Sequence, residues 1–114
     1  MTRKRLVTLL GTVVIGVVLS VYCYQQIPPL CGNKIITEVP SPDGKLKAVS
    51  FVRDCGATTG FSTQVSIIPA DAYLPNEAGN AFTSDGNHGA AASGSAGGPP
   101  VGLSWASSQE LVIA

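Results

Sequence analysis

The 114-residue sequence is poor in the groups that chemistry requires. It has one histidine, His88, and its seven acidic side chains stand apart from one another. No two carboxylates are paired for acid–base work, and no nucleophile stands beside a base. The G-x-S-x-G elbow of the hydrolases is absent. Gly56 to Gly60 lacks the Gly-Lys-Ser/Thr ending of a phosphate loop, and no helix pattern follows to lend it a dipole. A zinc set drawn from Cys31, Cys55 and His88 lacks the close paired spacing of such sites. Basic residues are scarce as well. Beyond residue 24 there are four, Lys34, Lys45, Lys47 and Arg53, against all seven acidic ones, a net charge of −3. No basic patch interleaves with aromatics, which argues against nucleic acid as a partner. The expected reading is a protein without cofactor, metal or catalytic residues.

One long hydrophobic run is present. Leu6 to Tyr24 holds nineteen uncharged residues directly behind Arg3-Lys4-Arg5. As a helix it spans about 28 Å, close to the hydrocarbon thickness of a bilayer. The run has no polar face that would suit a buried core helix. The basic tail, residues 1–5, predicts a cytoplasmic N-terminus, with the rest of the chain outside the cytoplasm. Tyr22 and Tyr24 suit an interfacial aromatic belt. A cleaved signal peptide is the rival reading, but Ser20-Val21-Tyr22 puts a bulky side chain next to the cut. Leu19 to Cys23 departs from a lipoprotein box at Tyr22. A retained signal anchor over residues 6–24 is therefore favoured. Thr8, Thr12, Gly16 and Ser20 recur every four residues and form a small-residue stripe suited to packing against another helix, from a second copy or a partner.

Residues 25–114 suffice for one small domain. Residues 25–33 form a spacer stiffened by Pro28-Pro29. Residues 34–114 read as a small antiparallel β-meander, so the chain is mainly β behind its transmembrane helix. Lys34 to Val39 is a strand, and Ser41-Pro42-Asp43-Gly44 a tight turn. Lys45 to Arg53 is a strand apolar on both faces in its second half, hence central. Phe61 to Ile68 alternates cleanly and predicts a half-buried strand with one wet face. Pro69 to Asn76 is irregular and surface-like, and Gly79 to Thr83 holds a short strand around Phe82. Residues 85–100 form a flexible Gly/Ala/Ser-rich loop. Val101 to Trp105 and Gln109 to Ile113 form a last hairpin around Ala106-Ser107-Ser108, with Leu103, Trp105, Leu111 and Ile113 completing the core. The strand-like ending Leu111 to Ala114 raises the expectation of a partner edge.

An oxidising compartment favours a Cys31–Cys55 disulfide. Cys23 is left over, to be inert, acylated or bridged to a second copy. The candidate binding surface is Arg53, Asp54, Thr58, Thr59, Ser62 and Gln64, around a glycine-bracketed loop that the disulfide pins. Arg53 with hydroxyls and loop N–H groups suits an anion or a carboxylate. The competing reading is structural: Arg53 and Asp54 pair or cap strand ends, and the threonines shape the turn.

Two resemblances accompany these residues. SPDGKLKAVSF, Ser41 to Phe51, resembles the repeat of Tol-type β-propellers, in which the turn opens one strand of a blade. LSWASSQELVI, Leu103 to Ile113, looks like a blade's tryptophan-bearing hairpin. Ninety residues cannot close a propeller, so what carries over is a local antiparallel meander. SPDGKLKAVSFVRDCGATTGFSTQVSII, Ser41 to Ile68, is similar to a group of small bacterial membrane-anchored proteins of unknown function. That resemblance implies bacterial origin, a single-pass anchor in the inner membrane and a periplasmic or otherwise extracytoplasmic domain; it brings no activity. Members of the group run on past the last hairpin. The expected role is a non-enzymatic accessory or interaction module, with another membrane or envelope protein as partner. The alternatives are a small envelope hydrolase or inhibitor-type protein using residues 53–64, and a secreted factor released by cleavage.

Overall fold

The computed structural model describes residues 2–56, 60–86 and 90–114. Thr58, Thr59 and His88 lie outside these described residues. The first element is helix α1, Arg3–Gln25, capped by Thr2, whose hydroxyl accepts the N–H of Arg5. It is the one helix among the described residues, and it is long and apolar enough to cross a membrane. None of its residues is buried.

Four strands follow in a meander: β1 Gly32–Pro40, β2 Leu46–Asp54, β3 Ser62–Pro69 and β4 Phe82–Asp85. They form one antiparallel sheet in the order β1-β2-β3-β4. The remaining strands, β5 Leu103–Ser107 and β6 Glu110–Ile113, make a separate two-stranded hairpin. The mainly β architecture behind an apolar helix is as the sequence predicts.

The turn between β1 and β2 is built from its own side chains. Ser41 O accepts the N–H of Gly44, and Asp43 Oδ1 accepts both the Ser41 hydroxyl and the Lys45 N–H. Gly44 sits at φ 72°, a backbone conformation open to glycine at no steric cost. β2 is central, and Ala48, Val49, Ser50, Phe51 and Val52 are all buried.

Register assigns the two faces, because directly paired residues point the same way. Val49 pairs with Ser66 and Phe51 with Gln64. On this first face Val49, Phe51 and Ile68 form the buried cluster, and Ala72 and Leu74 pack against it from the segment after β3. Thr63 and Val65 lie on the second face, paired with Val52 and Ser50. There the Thr63 hydroxyl donates to Pro99 O. Gly98 touches β3 so closely that an added Cβ would lie 2.5 Å from Thr63 Oγ1.

Three expectations are corrected here. β3 has no wet face: Thr63, Gln64, Val65 and Ser66 are all buried, because residues 72–81 cover one side and residues 98–99 the other. Its polar face avoids the cost of burial by bonding to the cover: Gln64 Oε1 accepts the Gly79 N–H and Ser66 Oγ accepts the Asn80 N–H. The last hairpin does not complete the buried core. Leu103, Trp105, Leu111 and Ile113 are only half-buried, and Trp105 uses its indole N–H to bond Val39 O at 2.9 Å. Its turn is Ser108-Gln109, beginning two residues later than expected, with a bulge between Trp105 and Ser107.

Candidate functional site

The sequence-predicted surface falls at the end of the sheet where β1 begins, β2 ends and β3 begins. A disulfide between Cys31 and Cys55 sits there, one residue outside the terminal pair Gly32 and Asp54. It closes 24 residues of chain, a constraint of roughly 3 kcal/mol in loop-closure entropy.

Arg53 and Ser62 are directly paired across β2 and β3, and Gln64 lies two residues further along the same face. The structure therefore brings these three of the candidate residues together. Arg53 Nη1 donates to Asn33 Oδ1 at 2.7 Å and to Asn76 Oδ1 at 3.3 Å. Asn33 passes its own amide to Pro75 O and Glu77 O, and Asn76 passes its amide to Cys31 O. The result is a polar lock from the disulfide, through Arg53, to the segment that roofs the first face. Gln64 lies further in and is buried; its Nε2 donates to Ser62 Oγ at 2.9 Å. Replacing Arg53 and Gln64 together would loosen the roof as well as alter the surface.

Asp54 faces away from this lock and is exposed. Its Oδ1 accepts the Gly56 N–H at 2.9 Å, which shapes the start of the following loop. Arg53 keeps Nη2 and Nε without a partner among the described residues. It is only half-buried, so one edge of a guanidinium remains to meet a carboxylate or phosphate.

Beside the lock lies an open cleft of about 730 Å³. Pro28, Leu30, Lys34, Asp54, Phe61 and Ala96 are among its walls. No group of three or more His, Cys, Asp or Glu suited to a metal occurs among the described residues.

Sequence reasoning missed Asn33, Asn76 and Asn80. Asn80 occupies the place of a strand partner, its side chain accepting from Ile67 N and donating to Ile67 O. One signal was available: asparagine is depleted in strands, so Asn33 inside a strand asks for a side-chain role. The carbonyls that Asn33 holds lie more than 40 residues away in sequence and leave no local trace.

The small-residue stripe of α1 keeps its hydroxyls within the helix. Thr8, Thr12 and Ser20 donate to the carbonyls of Lys4, Thr8 and Gly16. Compared with family models, with curated proteins and with solved structures, the chain matches none.

Proposed function

We propose that this chain is a single-pass protein of a bacterial inner membrane that displays its disulfide-pinned β domain on the outer side. There it acts as a non-enzymatic accessory module that binds another membrane or envelope protein. One observation carries the membrane reading: α1 is 23 residues long, and none of them is buried against the domain. Its uncharged run, Leu6 to Tyr24, is about 28 Å of apolar helix, and without a protein partner it calls for lipid. The Cys31–Cys55 bridge suits an oxidising compartment, and the basic tail before α1 suits a cytoplasmic N-terminus. The free edge of Arg53 supports the surface near it as the contact for an acidic group on the partner.

Protease added outside spheroplasts tests the orientation. The expected result is loss of the β domain and survival of an epitope placed before Arg3. Survival of the domain until the membrane is broken would overturn the reading. A released β domain in the medium would favour the secreted-factor alternative.

A further inference from the structure

We infer that the cleft beside the disulfide is where the domain seats on the outer surface of its own bilayer, taking phospholipid headgroups against Lys34 and the upper acyl chains against Leu30 and Phe61. This rests on the membrane reading above. The cleft wall and the membrane helix are continuous chain: α1 ends at Gln25 and Pro28 to Lys34 line the cleft. Four residues lie between Gln25 and Leu30, so the two are at most about 18 Å apart along extended chain. The cleft therefore cannot lie far from the lipid surface.

Its apolar members are exposed where a soluble domain would bury them. Leu30 is 86% exposed and Phe61 45%. The Phe61 ring rests on Gly97, so it is held at the cleft's edge and not folded inward. Apolar side chains at this position gain by entering the boundary between headgroups and acyl chains, while a cation beside them attracts anionic lipid. Lys34 is the cation of the cleft and has no partner among the described residues. Asp54, the acidic group there, accepts the Gly56 N–H and so shapes the start of the next loop. The remaining polar lining, Asn33 and Asn76, is tied into the Arg53 lock.

The seat also fixes which end of the sheet points away. Trp105, the only tryptophan, bonds Val39 near the far end of β1, about 23 Å along the strand from Gly32.

Tryptophan quenching in vesicles reads this directly. The full-length chain is reconstituted in phosphatidylcholine and phosphatidylglycerol brominated near the headgroup. Leu30→Trp and Phe61→Trp each add a reporter, Tyr24→Trp reports the end of α1, and Trp105 is the built-in distal reporter. Leu30→Trp lies on an exposed position, so the test survives if Phe61→Trp disturbs packing. The expected result is that the added emission at 24, 30 and 61 is mostly lost and blue-shifted, while Trp105 keeps its emission. Quenching at 24 without quenching at 30 or 61 overturns the proposal and leaves the cleft to a protein partner. No quenching at 24 overturns the membrane reading, and the proposal with it.

Discussion

Helix α1 and strand β2 are both apolar, and their surroundings could hardly differ more. Val13, Val14 and Ile15 at the centre of α1 are each about three-fifths exposed. Ala48, Val49 and Phe51 at the centre of β2 are wholly inaccessible. Burial of one large apolar side chain is worth about 1.5–3 kcal/mol. The strand collects that within the protein, and the helix, exposed along its whole length, does not. The polar groups divide the same way. In α1 the hydroxyls of Thr8, Thr12 and Ser20 bond back to their own helix, the arrangement a bilayer would demand. In the sheet they reach across long distances to hold loops in place.

The largest effect expected separates the two regions outright. Phe51→Ala empties the centre of the core and should destabilise the domain by about 4 kcal/mol, without releasing α1 from membranes. Val14→Arg should do the reverse, at a cost of about 3 kcal/mol at the helix centre, leaving domain unfolding unchanged. Membrane partition and denaturant unfolding, measured on both variants, check the pair. If Phe51→Ala releases the chain from membranes, the two regions are not independent.

Next comes the bridge. Cys31→Ser with Cys55→Ser should lower domain stability by roughly 3 kcal/mol, and adding reductant to the parent should reproduce the shift in denaturant midpoint. Gly98→Ala follows. Its Cβ would collide with Thr63 Oγ1 and crowd the Thr63 backbone N, and overpacking of this kind costs about 2 kcal/mol. A midpoint unchanged by Gly98→Ala would mean that residues 94–100 do not rest on β3.

The smallest effect concerns the turn. Its Ser41 hydroxyl bond first, and then the Lys45 N–H, hold the Asp43 carboxyl below the usual carboxylate range. A folded value below the unfolded one means that this contribution is complete above the unfolded value, about 4, and is lost as pH falls through the folded value. Asp43→Asn should flatten that acid limb of the stability profile. Because Asp43 is exposed, the change should be slight.

Much of this contrast is legible in the sequence, for local reasons. The run Leu6 to Tyr24 and the Ser41 to Gly44 turn each carry their physics within a few residues. The doubly apolar half of β2 also announces its central place. What stays hidden depends on long-range covers. Ser62, Gln64 and Ser66 alternate like the wet face of a strand, and the residues that bond Gln64 and Ser66 come 15 and 14 positions later. The tryptophan reads as core, but its indole N–H bonds Val39 O, 66 residues away. At the candidate surface, the pairing of Arg53 with Ser62 follows from strand register. The Asn33 and Asn76 lock does not, since short polar side chains in strands and turns give no periodic signal.

The central claim is that α1 remains in lipid while the domain matures in an oxidising compartment. The measurement that tests it most directly is the intact mass of the native chain from carbonate-washed membranes, alkylated under denaturing conditions with and without prior reduction. The expected result is a full-length chain in the membrane fraction, with two of its three cysteines taking up reagent only after reduction. A shortened chain in the soluble fraction, or three thiols that react without reduction, would contradict it.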